Sequence, residues 1–322
     1  MKAGLKRTAA ALALAALVLA TAPTAGAQRR ASDRRDARRA AVRSVTIPVT
    51  LRLREPKPQT EVQSIEYLTV LEDGEDQEIL SLRGGVRSPL SLAILIQDDL
   101  SSSISTEIRE IAAFIRRLPP GTRVFVGYLR GGSLQVRQRF TNDLERAARS
   151  LRIPVSSSAV APFNPFAQTI EALRRFESQP QGRRAVILFS DGVDTSRGFD
   201  SSTPSQSVDL QRAINEAQRR SVAVFAVYAP TVGVTGNGRS ILAGNGQGSL
   251  QRLAAETGGR AYFQGFSAPV SINPFLREIS TLLPRLFALT YLSTHPDRGF
   301  HNIKIIADVR DGEVLYPAGY TR

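Results

Sequence analysis

The chain has 322 residues, and 42% of them are hydrophobic, which is enough for one sizeable α/β domain with a smaller module beside it. It contains no cysteine and only two histidines, which excludes a disulfide framework and leaves little room for a His-based metal site or a Ser-His-Asp triad. The formal net charge is +13, but much of the excess lies before position 44 and not on a basic platform with aromatic side chains, so we expect no nucleic-acid partner.

The N-terminus has the three parts of a secretory signal peptide. Its first residues include three basic ones, Lys2, Lys6 and Arg7. An apolar run over residues 8–22 follows, and the small residues 25–27 are typical of a cleavage site. We therefore predict a signal peptide over residues 1–27 and an exported protein that is periplasmic, on the cell surface or secreted. An uncleaved membrane anchor is the alternative, but the run is short for a span and no later stretch is apolar enough to be transmembrane.

Residues 28–43 are rich in arginine and poor in apolar side chains. This composition is typical of a flexible arm that cannot bury a core. Two interpretations of the arm remain open. It is either a solvated linker or a segment that is attracted to an anionic envelope polymer or to lipid head groups.

Both ends of the mature chain show strand patterns. The predicted strands cover residues 44–53, 65–71, 78–82, 287–292, 303–309 and 314–316. The first hairpin has Asp73-Gly74 as its turn, and a helix is predicted over residues 274–283. We expect the N-terminal β segment (44–88) to pair with the C-terminal helix and β segment (271–322) in one small antiparallel sandwich.

Between these segments, apolar runs alternate with helical patterns, which is typical of a parallel sheet covered on both faces. The apolar runs lie at residues 92–96, 124–129, 185–189, 222–227 and 261–263. The helical patterns lie at residues 104–118, 144–151, 166–176, 208–220 and 250–257. Residues 134–140 follow a link that is too short for a parallel crossover, so we predict an antiparallel edge strand there. The fold class is therefore α/β, with a doubly wound, mostly parallel, six-stranded, Rossmann-like sheet over residues 89–270.

Oxygen-bearing side chains follow two strands of this predicted sheet. Asp99, Ser101 and Ser103 follow the first strand at a spacing of two, and Asp191 follows the fourth. Ligands of a doubly wound sheet bind outside the carboxyl ends of the strands where the winding reverses, so we expect these side chains to converge on a hard cation. Simpler explanations are a polar turn at Asp191 and helix capping by the serines, and capping is compatible with metal binding.

The register of the first motif follows from its oxygens. The residues two and four positions after Asp99 are Ser101 and Ser103. The residue two positions after Asp98 is Leu100, so a motif that began at Asp98 would have one oxygen fewer. Asp99 is therefore the candidate ligand.

The pattern Asp99-x-Ser101-x-Ser103, with Ser190-Asp191-Gly192 later in the chain, resembles the metal-ion-dependent adhesion site (MIDAS) of von Willebrand factor A-type (VWFA) domains. The resemblance implies that Ser101 and Ser103 bind Mg²⁺ or Mn²⁺ directly, that Asp99 and Asp191 act mainly through water, and that a partner's carboxylate completes the shell. Residues 66–74, 299–305 and 316–320 extend the likeness, because their order resembles that of exported proteins with an acidobacterial-type VWFA-related domain.

Two positions depart from the family's pattern. The family's Thr before the helix that precedes strand four corresponds to Asn164, whose carbonyl can also bind a hard cation, and Thr169 would replace it only if that helix began later. Asp98 stands where an apolar residue is usual, and its charge would favour a cation or raise the pKa of a neighbouring carboxyl. Asp98 and Asp194 are expected just outside the direct ligands.

Three functions are compatible with these patterns. The leading one is an exported, non-enzymatic adhesion or protein-binding module that holds an acidic side chain of a protein partner through Mg²⁺. The alternative is a structural or scaffold protein with a degenerate site that lacks metal. A Mg²⁺-dependent hydrolase is the least favoured, because no His or Lys lies near Ser101 or Ser103 in the sequence.

A glycine-rich stretch over residues 230–248 follows the fifth strand on the same face as the predicted site. It lacks the Gly-Lys-Ser/Thr ending of a P-loop, so it is not expected to bind phosphate. We predict a mobile surface loop there.

Overall fold

The computed structural model describes residues 43–54, 65–84, 88–231, 239–309 and 312–322. The predicted signal peptide and nearly all of the arginine-rich arm lie outside these residues, so both stay predictions. Within the described ranges, no helix is long and apolar enough to cross a membrane.

The strands and helices alternate along the chain as follows. The strands are β1 (Arg43–Leu53), β2 (Ile65–Glu72), β3 (Glu75–Arg83), β4 (Ser91–Gln97), β5 (Arg123–Arg130), β6 (Ser133–Thr141), β7 (Arg184–Ser190), β8 (Ala223–Tyr228), β9 (Ala261–Tyr262), β10 (Leu286–Ser293), β11 (Phe300–Val309), β12 (Gly312–Leu315) and β13 (Gly319–Thr321). The α-helices are α1 (Ser103–Arg116), α2 (Leu144–Arg149), α3 (Pro165–Arg174), α4 (Val208–Arg219), α5 (Arg239–Glu256) and α6 (Asn273–Leu282).

Six strands form the central sheet in the order β6-β5-β4-β7-β8-β9. Only β6 is antiparallel to its neighbour, and the other pairings are parallel. Every residue of β4 is buried because helices cover both faces of the sheet. Side chains of α1, α2 and α6 fill the core on one face, and those of α3, α4 and α5 fill it on the other. The predicted fold class is confirmed, including the antiparallel edge strand.

The ends of the chain form a second sheet in the order β12-β1-β10-β3-β2-β11-β13, and all of its pairings are antiparallel. The expected pairing of N- and C-terminal strands is present. The expected two-layered sandwich is wrong, because all seven strands belong to one sheet.

This antiparallel sheet curls toward itself. Five strand spacings separate β12 from β11, which in a flat sheet would be about 24 Å. Only residues 310 and 311 link Val309 to Gly312, and such a link spans at most about 11 Å. The sheet must therefore bend until its ends approach. Its inner face is filled by its own apolar side chains, among them Ile47, Leu289 and Tyr291, so it needs no second layer.

One predicted loop is a helix. Residues 239–248 of the glycine-rich stretch belong to α5, although glycine is a poor helix former. Tertiary contact explains the difference: a Cβ added at Gly246 would lie 2.0 Å from the backbone oxygen of Asp191, so only glycine lets the helix pack directly on the Ser-Asp-Gly turn. The prediction of a mobile surface loop is wrong for residues 239–248, and residues 232–238 lie outside the described part.

Candidate functional site

The chain leaves β4 at Gln97, and the two aspartates that follow contact different partners. Asp98 is fully buried and accepts hydrogen bonds from the guanidinium group of Arg152 and from the backbone N–H of Val155, at 3.1 Å. Asp99 instead accepts a hydrogen bond from the amide Nε2 of Gln97 at 2.9 Å. The charge of Asp98 is therefore compensated on one side of the turn, and Asp99 is the carboxylate that remains for the site.

Gln97 links the two aspartate-bearing turns. Its Oε1 accepts hydrogen bonds from the hydroxyl of Ser190 at 2.5 Å and from the backbone N–H of Asp191 at 3.3 Å, while its Nε2 donates to Asp99. The side chain lies at the carboxyl end of the central strand β4, beside the neighbouring strand β7. The expected meeting of the Asp99 and Asp191 segments at this end of the sheet is what the strand order produces.

Asp191 lies almost entirely inside the protein, at 5% exposure. Its Oδ1 accepts from the N–H of Val193 at 3.0 Å, and its Oδ2 accepts from the hydroxyl of Thr231 at 3.1 Å. Burial, together with repulsion from Asp99, raises the pKa of Asp191 to about 7. Burial also raises the pKa of Asp99. The two carboxylates are thus close and buried, and each disfavours ionisation of the other.

The two serines of the motif lie in the turn between β4 and α1. The backbone N–H of Ser101 donates to the carbonyl of Pro230 at 2.9 Å, which ties this turn to the chain that leaves β8. Ser103 is the first residue of α1, and its side chain lies outside the described part of the structure. Backbone placement therefore keeps both serines beside Asp99.

Asn164 is the N-cap of α3, and both ends of its side-chain amide are engaged. Its Oδ1 accepts from the N–H groups of Phe166 and Ala167, both at 3.1 Å. Its Nδ2 donates to Asp209 at 2.7 Å and to Ser196 at 3.3 Å.

The alternative at this position, Thr169, lies one turn inside α3, because the helix starts at Pro165. The Thr169 hydroxyl donates to the backbone carbonyl of Pro165 at 2.8 Å. This is the backbone bond expected of a helical threonine.

Asp194 organises the loop that follows the Ser-Asp-Gly turn. Its Oδ1 accepts from the N–H of Ser196 at 3.0 Å and from the hydroxyl of the same residue at 2.6 Å. Its Oδ2 accepts from the hydroxyl of Ser207 at 2.8 Å, and Ser207 in turn caps α4. These bonds shape the rim of the site.

Sequence reasoning missed Thr231 and Gln97. Thr231 is 3% exposed and lies just beyond β8, which neighbours β7, the strand that Asp191 follows directly. The rule that located Asp99 and Asp191, polar side chains at the carboxyl ends of parallel strands, would have found Thr231 if applied to the fifth strand. Gln97 ends an apolar run, and nothing in its neighbourhood distinguishes it from an ordinary strand-end residue.

These residues fit a hard divalent cation whose ligands are carboxylates, hydroxyls and water. The fit rests on the two buried carboxylates, whose mutual repulsion a cation would relieve, and on the hydroxyl of Thr231 beside them. No group of three or more His, Cys, Asp or Glu side chains placed to hold a metal occurs in the described ranges, so a site built wholly from such ligands does not fit.

Comparisons with known proteins give only remote likenesses. No family model matches the chain, and no curated protein matches it. Among solved structures, it is similar to an aerotolerance-related membrane protein from Bacteroides fragilis NCTC 9343 with multiple mutations to serines, at 13% identity and a TM-score of 0.42 over 60% of this chain and 98% of that one.

Two further solved structures have comparable values. The conserved hypothetical protein BatB from Bacteroides thetaiotaomicron is 16% identical, with a TM-score of 0.41 over 59% of this chain and 97% of that one. The SpRpn10 VWA domain is 12% identical, with a TM-score of 0.38 over 59% of this chain and 95% of that one.

The assignment of the fold rests on the strand order of this chain. The chain has a doubly wound, Rossmann-like α/β sheet with an antiparallel strand after the second parallel one, and its Asp-x-Ser-x-Ser and Ser-Asp-Gly motifs follow adjacent central strands.

Proposed function

We propose that this chain is a non-enzymatic protein-binding module that holds Mg²⁺ or Mn²⁺ at Asp99 and Asp191 and uses the cation to bind an acidic side chain of a protein partner. The observation that carries the proposal is the buried carboxylate pair, in which repulsion from Asp99 contributes to the raised pKa of Asp191. A divalent cation would compensate both charges and would accept a further oxygen ligand from a partner. Asp99, Ser101, Ser103 and Asp191 are the residues proposed to hold it.

Exposed apolar side chains support a protein partner. Val155 is 45% exposed, and its N–H binds Asp98, next to Asp99. Phe163 is 64% exposed, and its carbonyl accepts from the N–H of Thr195, in the loop that follows Asp191. Each apolar residue is thus one hydrogen bond away from an aspartate-bearing segment. Exposed apolar surface around a polar centre is typical of protein interfaces.

The proposal assigns no catalysis to the site. The candidate nucleophile Ser101 has no His or Lys near it in the sequence. His301 is bonded to Asp73 in the antiparallel sheet, at 2.8 Å. We therefore propose neither a histidine nor a lysine as a general base for Ser101.

A structural protein with a degenerate site is the second candidate, and one observation favours it. Both carboxylate oxygens of Asp191 already accept hydrogen bonds, from Val193 and Thr231. An ionised Asp191 would therefore have a hydrogen-bond donor on each oxygen without metal. Under either function we propose export through the signal peptide, with the arginine-rich arm contacting an anionic envelope polymer.

Thermal unfolding tests the metal site. The protein without residues 1–27 is treated with EDTA and then unfolded with and without Mn²⁺, beside Asp99→Ala and the control Asp308→Asn, which removes an exposed charge on β11. Saturation at 100 times Kd stabilises the native state by about 2.7 kcal/mol, so the wild type and the control should gain roughly 5–10 °C. Equal shifts in the wild type and Asp99→Ala would contradict the proposal.

Selection from a random peptide display library tests the partner chemistry. With Mg²⁺ present and elution by EDTA, the wild type should enrich peptides that contain Asp or Glu. Asp191→Asn should lose that enrichment. Eluted peptides with the acidic content of the starting library would exclude a carboxylate-binding module.

A further inference from the structure

We propose that the hydroxyl of Thr231, and not the amide of Asn164, supplies the fifth protein oxygen of the metal site, in addition to those of Asp99, Ser101, Ser103 and Asp191. The inference rests on the proposed function, because it concerns the ligands of the same cation. It changes the predicted ligand set at one position and brings in a residue from a different strand.

Thr231 lies in direct contact with one of the two carboxylates. Its hydroxyl donates to Oδ2 of Asp191 at 3.1 Å, and the residue is 3% exposed. A hydroxyl has one proton and two acceptor lone pairs, so donation to Asp191 leaves oxygen lone pairs for a cation. The contact with Asp191 is therefore compatible with a role as a ligand.

The backbone holds Thr231 against the other aspartate-bearing turn as well. Thr231 pairs with Leu100 in an isolated antiparallel bridge. The preceding carbonyl, that of Pro230, accepts from the N–H of Ser101 at 2.9 Å. Since Leu100 lies between Asp99 and Ser101, these bonds place Thr231 across from the Asp-x-Ser-x-Ser motif. The same residue thus contacts both halves of the site.

Asn164, in contrast, is committed elsewhere. Its carbonyl oxygen accepts two N–H groups at the start of α3, and its NH₂ group donates to Asp209 and Ser196. Use of that oxygen as a metal ligand would uncap the helix and disrupt the pair with Asp209. Thr231 needs no such rearrangement, because its hydroxyl already lies beside Asp191.

Mn²⁺ titration followed by the EPR signal of free Mn²⁺ tests the assignment, because it reports affinity without a partner protein. The variants are Thr231→Val, which keeps the shape and removes the oxygen, Thr231→Ser, which keeps the hydroxyl, and Asn164→Gly, which removes the amide but remains an acceptable N-cap. We expect Thr231→Val to weaken Mn²⁺ binding about 10-fold or more, while Thr231→Ser and Asn164→Gly stay within about threefold of the wild type.

The outcomes separate this inference from the proposed function. Saturable binding by the wild type that is lost in Asp99→Ala but unchanged in Thr231→Val would overturn the assignment of Thr231 and leave the metal site in place. Loss of binding in Asn164→Gly, with Thr231→Val unaffected, would return the role to Asn164. No saturable binding by the wild type would overturn both proposals. Circular dichroism of each variant at the titration temperature establishes that the protein is folded.

Discussion

Arg152 binds Asp98 through both terminal nitrogens of its guanidinium group, at 2.6 and 2.8 Å from the two carboxylate oxygens. The same guanidinium lies 4.2 Å from the ring centroid of Tyr128. The backbone N–H of Val155 donates a further hydrogen bond to Asp98. Asp98 is therefore an ion-paired structural residue, whereas Asp99, the next residue, remains beside Asp191. The ion pair offsets the charge of Asp98 only in part, because burial and then the charge of Asp98 raise the pKa of Asp99.

Removal of Arg152 should leave the buried Asp98 with only one, more distant ion-pair partner, Arg130, whose terminal nitrogen lies 3.5 Å from Oδ2. We expect Arg152→Met to lower the free energy of unfolding by about 3–5 kcal/mol, because a fully buried carboxylate would lose its closer partner. The double variant Asp98→Asn with Arg152→Met should recover most of that loss, since no charge is then buried. Urea unfolding of the four proteins of this cycle measures the coupling. Additive effects would show that the pair is not coupled.

The raised pKa of Asp191 predicts a pH-dependent stability. In the folded state the pKa of Asp191 is about 7, whereas in the unfolded chain its pKa is near the ordinary aspartate value of 3.8. Between these values the unfolded state binds fewer protons, so stability falls as pH rises. The metal-free protein should lose about 4 kcal/mol between roughly pH 4 and pH 7 from this group.

Asp191→Asn is the control for that prediction, because its amide does not titrate. Chemical unfolding in EDTA at several pH values should give a flatter profile for the variant than for the wild type. Saturating Mn²⁺ should oppose the loss at higher pH, because the cation binds the ionised carboxylate. Parallel profiles for the wild type and the variant would show that Asp191 does not titrate in this range.

The contact between α5 and the Ser-Asp-Gly turn predicts opposite effects for two glycines of one helix. Gly246→Ala would place its Cβ 2.0 Å from the carbonyl oxygen of Asp191, so we expect a loss of about 2–3 kcal/mol. Gly244→Ala is the matched control, since its nearest neighbour is Cε1 of Phe266 at 4.0 Å. It should gain about 0.5–1 kcal/mol from helix propensity. Thermal unfolding distinguishes the two, and equal effects would contradict the close packing.

His301 and Asp73 predict a second pH dependence, in the antiparallel sheet. Burial lowers the pKa of His301, but its hydrogen bonds with Asp73 and with the carbonyl of Asp297, together with the negative charges of Asp73 and Glu72, outweigh burial, and the net pKa is raised. The stabilisation is therefore complete below the unfolded pKa of about 6.5 and is lost as pH rises through the folded pKa.

His301→Gln tests the contribution of this pair. The variant should be less stable than the wild type by about 1.5 kcal/mol at pH 6, and the difference should narrow at pH 8. Urea unfolding at both pH values measures it. A difference that grows with pH would have the wrong sign for a protonated His301.

Phe163 has a left-handed backbone conformation, with φ at 52°, although it is not glycine and its ring is 64% exposed. Phe163→Gly should raise the free energy of unfolding by roughly 0.5–1 kcal/mol, because relief of the left-handed strain exceeds the entropy added to the unfolded chain. Phe163→Ala keeps the strain and serves as control. If the ring contacts the partner, both variants should reduce peptide enrichment in the display experiment. A stability loss in Phe163→Gly would show that the ring packs in the fold.

Hydrophobic periodicity carried most of the information about the fold. The strand-like runs and the short link before β6 gave the strand directions and the antiparallel edge, because parallel neighbours need long crossovers and hairpins do not. The pairing of the terminal strands also followed from pattern. The number of layers did not follow from pattern. The two-residue link between β11 and β12 forces the sheet to bend only once both strands have paired with their neighbours.

The helix α5 shows where local pattern failed. Its glycines have low helix propensity, and the reason for the presence of Gly246 is the backbone of Asp191, which lies far away in sequence. A residue selected for close approach to another segment carries no periodic signal. Only the tertiary contact explains it.

The sequence by itself determined the class of fold, the register that selects Asp99 over Asp98, and the meeting of Asp99 with the segment of Asp191, because each depends on spacing along the chain or on strand order. The tertiary structure alone decided which partner each polar group takes. Arg152 binds Asp98, the side-chain carbonyl of Asn164 caps α3, and the hydroxyl of Thr231 donates to Asp191. The physical reason is that a carboxylate, an amide or a hydroxyl binds whichever complementary group the fold brings within about 3 Å, and that distance is not encoded locally.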